Sequence, residues 1–293
     1  MSRARIGTTN MQKTRPSRMG ELAAIMRAIH QTADDEPKIL ADPIAPRLVD
    51  VGGGDDDELG PLLHHPFAKQ WRAGFLIRNR YAEDCLAEGV ARGIRQHAIL
   101  GAGLDTFAFR QPTWAKPIRI YEVDHPATQR WKRDQLAAAA IAVPENLAFV
   151  PMDFERDSLA ESLRKNGFDL GAQTFFSWLG VTQYLSQGAI AQTLEFVLAF
   201  PRGSEIVFSF ILPFATVSGL EGDALAKAAD QSKQVGEPWL STFNPEDLAA
   251  LLRAMGFSIV VHMTPADAQE RYLKHRRDGM QARRGEQLMR AIV

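Results

Sequence analysis

Apolar positions along this chain follow two rhythms. Over residues 19–32, MGELAAIMRAIHQT, the residues Leu22, Ile25, Met26 and Ile29 recur at three- and four-residue spacing and predict a helix with one apolar stripe. A second helical stretch is expected from about 66 to 93, containing FLIRNRYAEDCL. After that the rhythm shortens. Apolar runs near 98–101, 118–123, 147–151, 173–179, 205–212 and 257–263 read as strands, and intervening segments such as HPATQRWKRDQLAAAA and SQGAIAQTLEFVLAF have helical composition. Alternating strands and helices predict a parallel sheet covered on both faces, an α/β doubly wound fold. One helix is specified at both ends: in FNPEDLAALLRAMGF, Asn244 suits the N-cap, Pro245 the first turn and Gly256 the stop, with Leu248, Leu251, Leu252 and Met255 as its buried stripe.

The 293 residues are 45% hydrophobic and 24% charged, enough to bury a full core. The 34 Lys and Arg against 35 Asp and Glu leave a formal charge of −1, without the basic excess that a nucleic-acid partner ordinarily requires. A single cysteine, Cys85, excludes an internal disulfide and suits a reducing compartment, so the cytoplasm is the expected location. The N-terminal Arg3, Arg5, Lys13, Arg15 and Arg18 precede no apolar core of a signal peptide, and no run reaches the ~20 apolar residues of a membrane span. GGGDDDELGP reads as a solvated loop. Its Asp55, Asp56, Asp57 and Glu58 lack the alternating ligands and central glycine of a calcium loop, so no metal is expected.

The candidate chemistry starts at HAILGAGLDTFAFR. Glycines at 101 and 103, after the first strand of the alternating region, let the backbone pass close to a ligand. A dinucleotide fingerprint would need a third glycine where the chain has Thr106, and Asp105 would repel a pyrophosphate. The second strand ends in Asp124, placed either to accept from ribose hydroxyls or to cap the following helix. The third ends in Asp153 and Phe154, placed to accept from an adenine amino group and pack on its ring, or else forming a turn acid and a core aromatic. Together these edges describe an adenosine site whose ligand need not carry phosphate.

The blocks AILGAGLDTFAFR, YEVDHP, PMDF, WLGVTQYL and GEPWLSTFNPEDLAALLRAMGF, with DPIAPRLV and IRNRYAEDCL before them, resemble in order the bacterial S-adenosylmethionine-dependent methyltransferases of the leucine carboxyl methyltransferase superfamily. That resemblance implies a class I methyltransferase fold: a Rossmann-like, doubly wound, mostly parallel seven-stranded sheet. An N-terminal helical extension (1–95) and a lid insertion at about 213–240 of the 96–293 domain would cap its carboxyl edge. It also implies S-adenosyl-L-methionine as cofactor, with its carboxylate on Arg78 (Arg80 the near alternative). Gly101, Ala102 and Gly103 would lie along it, Asp105 near its tail, and Asp124, Asp153 and Phe154 around the nucleoside. The chain departs from the family at Leu179, where many members carry a glutamate before the glycine. Trp178, Leu179 and Tyr184 make an apolar wall, either donor pocket or plain core.

No GxSxG turn, HExxH or paired cysteine and histidine points to other chemistry, and His64-His65 reads as a loop pair. The expected activity is methyl transfer to a carboxylate or hydroxyl of a small molecule or peptide terminus, with no nucleic-acid or membrane partner. A carboxylate needs no base. A hydroxyl would need one, with His125 or Tyr184 nearest. An NAD-linked oxidoreductase and a catalytically silent donor-binding protein are the competing readings.

Overall fold

The six expected strands form as β1 (Gln96–Leu100), β2 (Arg119–Asp124), β3 (Leu147–Pro151), β4 (Thr174–Trp178), β5 (Glu205–Ile211) and β6 (Ile259–Met263), and β7 (Glu286–Ile292) joins them. The structure is a computed structural model that describes residues 18–49, 66–154, 156–234 and 236–293. The basic stretch 1–17, the acidic run 55–58 and His64-His65 lie outside the described residues. The strand order is β3-β2-β1-β4-β5-β7-β6. Strands β1 to β5 pair in parallel, whereas β7 runs antiparallel to both β5 and β6. Its EQLMRAI mixes charge with apolar residues, which hides it in the sequence although it lies inside the sheet. β1, β4 and β5 are buried along their whole length, as expected for runs covered on both faces.

Two apolar layers follow from strand alternation. Ile99, Ile120, Phe175 and Val207 face α3 (Ala68–Arg92), whose Ala73, Leu76, Ile77 and Tyr81 fill the same cluster. Ala98, Val123, Phe176, Trp178 and Phe208 point the other way, against Leu163 of α5 (Leu159–Lys165), Leu194 of α6 (Gln187–Leu198) and Leu252 of α8 (Pro245–Met255). In α8 the Asn244 side chain accepts from the Glu246 N–H at 3.0 Å, and Gly256 closes the helix at φ 116. Leu251, expected inside, is 46% exposed: positions 248, 252 and 255 share the inner face, and 249 rather than 251 extends it.

The N-terminal α1 (Arg18–Ala33) and α7 (Gly219–Gln234) meet α3 in a third cluster, where Leu22, Met26, Trp71, Phe75, Ala224 and Ala228 pack together. Arg72 of α3 grips Asp34 with two hydrogen bonds of 2.7 and 2.6 Å. Asp42, wholly buried, fixes α1 to the turn after β1. It accepts from Arg27 Nε (3.0 Å) and Thr106 Oγ1 (2.6 Å), and from the Ala45 N–H (3.0 Å) that starts α2 (Ala45–Leu48). Burial alone would raise its pKa, but the Arg27 and Arg110 guanidiniums and the Thr106 hydroxyl hold it below the usual carboxylate range. The turn after β1 is thus stitched to α1 and α2 by charge as well as by apolar packing.

One buried ion pair lies under α4 (Pro126–Ala138): Lys132 Nζ donates to Glu122 Oε2 at 2.5 Å, both side chains 1% exposed. Lys132→Met leaves that carboxylate with no counter-charge, and a loss of about 3 to 5 kcal/mol is expected in denaturant unfolding. The double change Lys132→Met with Glu122→Gln should recover most of it.

Candidate active site

In an open parallel sheet the ligand crevice lies beyond the carboxyl ends of the strands where their order reverses. Here that point is between β1 and β4. β1 runs directly into the glycine turn, whose Gly101 and Ala102 N–H groups both donate to Val123 O of β2, at 2.8 and 3.1 Å. Gly101 is in the left-handed region (φ 68), and a Cβ there would fall 2.5 Å from Val181 Cγ2. Across the crevice Gly180 (φ 72) follows β4, and a Cβ there would lie 2.7 Å from Arg78 Nη1. Bare backbone on both sides leaves a cradle, with a guanidinium laid over one wall.

Arg78 reaches this point from α3. Its Nη1 donates to Glu286 Oε1 at 2.8 Å and its guanidinium lies 4.7 Å from the Phe75 ring centre. Its buried Nε has no partner among the described residues. Glu286, at the start of β7, also accepts from Arg283 Nη1 at 3.0 Å. Burial opposes its ionisation, yet the two guanidiniums hold its pKa below the ordinary glutamate value. Arg80, the alternative anchor, is instead a surface residue, 45% exposed and paired with Asp84 at 2.8 Å.

The acids divide by role. Asp124 accepts the Gly103 N–H at 2.5 Å on Oδ2 and the His125 N–H at 2.6 Å on Oδ1, clamping the glycine turn. Burial raises its pKa and these two donors oppose the rise. Each oxygen retains a second lone pair for a ligand hydroxyl. The cap of α4 is His125, whose Nδ1 accepts from the Ala127 N–H at 3.2 Å. Asp105 Oδ1 accepts the Phe107 N–H at 2.7 Å, so its first task is to shape the chain leaving the turn. Asp153 stands one strand further along, where Met152 N–H donates to Asp124 O at 2.8 Å; its carboxylate lies 3.6 Å from Arg156 Nε. Phe154 packs at the border of the α5/α6 layer.

Structure separates the apolar wall. Trp178 has no exposed surface and packs on Phe208 on the sheet face opposite α3, so it belongs to the core rather than the crevice. Leu179 turns to the α3 face and is partly buried there. Tyr184 is largely buried, which pushes its pKa up. Beneath the turn, His97 of β1 meets Ser177 Oγ of β4 at 2.9 Å between the Phe107 and Phe175 rings, and burial pushes its pKa down to about 4.

Arg78 also borders a cavity lined by Leu22, Trp71, Phe75, Ala228 and Trp239, together with Arg283 and Glu286. The sequence gives no motif for Arg283 and Glu286. They reach the site only because β7 inserts beside β5, and EQLMRAI, with its apolar residues in adjacent pairs, carries no strand alternation to announce it.

Residues 21–198 match the family described as leucine carboxyl methyltransferase. The chain belongs to the leucine carboxyl methyltransferase family. As a member it is an S-adenosyl-L-methionine-dependent methyltransferase, and the NAD-linked reading falls away. Among its curated relatives, Bacillus subtilis YktD, provisionally named an S-adenosyl-L-methionine-dependent methyltransferase, is 34% identical over 208 residues, 71% of this chain and 68% of YktD. A Saccharopolyspora erythraea protein with the same provisional name is 31% identical over 212 residues, 70% of this chain and 71% of its own. Two crystal structures share the fold. One, from Thermobifida fusca and provisionally called a methyltransferase, has a TM-score of 0.56 at 17% identity and covers 99% of both chains. The other, a duf574 family protein from Streptomyces avermitilis, has a TM-score of 0.57 at 14% identity, covering 92% of this chain and 96% of its own. Among the described residues, no helix of this family member is long and apolar enough to cross a membrane.

The His97 environment sets a pH dependence. An unfolded histidine takes up a proton below about pH 6.5, whereas folded His97 does so only near pH 4, so unfolding binds a proton in between. Stability should therefore fall as pH drops from 6.5 to 4, by up to about 3 kcal/mol in total. Denaturant melts of His97→Gln should lack this component of the slope.

Proposed function

We propose that this enzyme methylates a carboxylate oxygen of a small molecule, with the donor lying across the β1–β4 crevice and its amino-acid carboxylate on Arg78. The observation that carries the reading is the Arg78 guanidinium itself: held at Nη1 by Glu286, laid over a glycine, and unpartnered at Nε. A planar carboxylate fits such a fork in bidentate fashion. Gly101 and Gly103 fit a ligand that needs close backbone approach, and Asp124 and Asp153 suit hydroxyl and amino donors of a nucleoside. When bound, S-adenosyl-L-methionine supplies a methyl group that leaves sulfur, with the S–C electron pair staying behind, as a lone pair on the acceptor oxygen forms the new bond. The chain's own task is to hold the groups in line and keep water out.

The choice of a carboxylate acceptor is supported by the state of the groups considered as a base. His125 is engaged as a helix cap, Tyr184 is biased toward its neutral phenol, and Glu286 is held as a weakly basic anion between two arginines. A hydroxyl acceptor needs a base, whereas a carboxylate with pKa of about 4 arrives ionised.

Isothermal calorimetry with S-adenosyl-L-methionine tests the anchor: Arg78→Ala should weaken binding by about 2 to 5 kcal/mol. Gly180→Ala, whose Cβ would displace the guanidinium, should act in the same direction. Unchanged affinity in both removes Arg78 from the donor site. With a carboxylic acceptor, kcat/KM for methyl ester formation should stay flat from about pH 6 to 9, whereas a phenol would show a rise toward about pH 10.

A further inference from the structure

We propose that Arg283 anchors the acceptor: the cavity under the cap is a subsite for an apolar monocarboxylic acid, its carboxylate on Arg283 and its apolar body among Trp71, Phe75 and Trp239. The inference deepens the methyl-transfer reading and rests on it for the identity of the reaction, though not for the existence of the subsite.

Charge balance is the first argument. Only Arg78, Arg283 and Glu286 carry charge among the described residues lining the cavity, so one carboxylate is shared by two guanidiniums and one positive charge is left over. The next acid, Glu221, is already committed: Oε1 accepts the Arg284 and Gly285 N–H groups, each at 2.7 Å, and Oε2 accepts Arg284 Nε at 3.1 Å. The donor brings an ammonium along with the carboxylate placed on Arg78 and so adds no net anion; the surplus buried cation calls for one more, a monoanion.

Hydrogen-bonding capacity is the second. Arg283 is 8% exposed, yet its Nε has no partner among the described residues. A buried donor left open in this way fits a ligand that supplies an acceptor. Burial, the largest influence on Arg283, lowers its pKa, and a carboxylate of its own would offset that penalty.

The third argument is the character of the walls. Two indoles and a phenyl ring, with Leu22 and Ala228, leave no other charge for a polar substituent to meet. Near the Trp239 wall, Phe214 stacks on that indole at 6.1 Å, and Phe214 and Leu240 are 42% and 61% exposed, continuing the apolar surface outward. The stem of Arg283 is fitted to α3: a Cβ on Gly74 would fall 2.8 Å from its Cδ, so the position of the guanidinium depends on that glycine.

The experiment is a tryptophan-fluorescence titration of the full chain, saturated with S-adenosylhomocysteine, using 3-phenylpropanoate, 1-naphthoate, their amides and 3-phenylpropylamine. The acids should bind at least 10-fold more tightly than their amides, with the amine weaker still. Arg283→Met should abolish that preference while leaving the affinity for S-adenosylhomocysteine, read by calorimetry, within threefold. Gly74→Ala, which keeps the cation but shifts its stem, should reduce the preference by a smaller factor and guards against a folding failure of Arg283→Met. Equal binding of acid and amide by the unaltered protein, or an acid preference that survives Arg283→Met, overturns the subsite. If the acids bind selectively without S-adenosylhomocysteine but neither it nor S-adenosyl-L-methionine binds, the subsite stands and the donor assignment fails.

Discussion

Two absent side chains govern the carboxyl edge of this sheet. At Gly101 the space that a Cβ would occupy is taken by Val181, and at Gly180 it is taken by the guanidinium of Arg78. Both glycines hold positive φ, so the backbone geometry and the close approach make the same demand. Because these residues follow adjacent strands β1 and β4, the ends of two parallel strands come together without filling the crevice between them. A larger residue at either place would close the gap or expel the arginine, leaving the surrounding acids with nothing to frame.

The cap is held to this edge through a buried polar cluster. Thr106 occupies the position where a dinucleotide-binding turn would have its third glycine, and its hydroxyl reaches Asp42, which also holds Arg27 of α1. Arg27 donates in turn to Leu104 O at 2.5 Å within the glycine turn. Such a cluster is costly when any one member is lost, because the others remain buried and unsatisfied. Its value lies in specificity: apolar faces tolerate sliding, whereas directed hydrogen bonds fix α1 in one place over the crevice.

The sequence disclosed most of the scaffold because the scaffold obeys local rules. Continuous apolar runs marked the parallel strands, and Asn244, Pro245 and Gly256 bounded α8 to the residue. The glycine turn and the acid ending β2 were also placed, since they follow apolar runs, and the helix carrying Arg78 lies within a block resembling a known family. What escaped depended on long-range pairing. β7 carries Glu286, Gln287 and Arg290 and reads as a polar tail until β5 and β6 are placed on either side of it. Trp178 and Leu179 are adjacent in sequence but face opposite layers, so their burial could not be assigned before the strand's register was known. Arg283 and Glu286 were invisible for the same reason: their meeting with Arg78 spans about two hundred residues of chain.

The placement of β7 also constrains how the molecule assembles. A polypeptide emerging from the ribosome completes β6 before β7 exists, yet among the described strands β6 is hydrogen-bonded to β7 alone. The far margin of the sheet must therefore wait, with β5 exposing an unsatisfied ladder, until the intervening strand arrives and zips both sides at once. The Arg78 pairing is delayed with it, for Glu286 leads that strand. A nascent chain can already possess its glycine bend and Arg78 while still lacking the carboxylate that aims the guanidinium, which makes that pairing a property of the finished sheet.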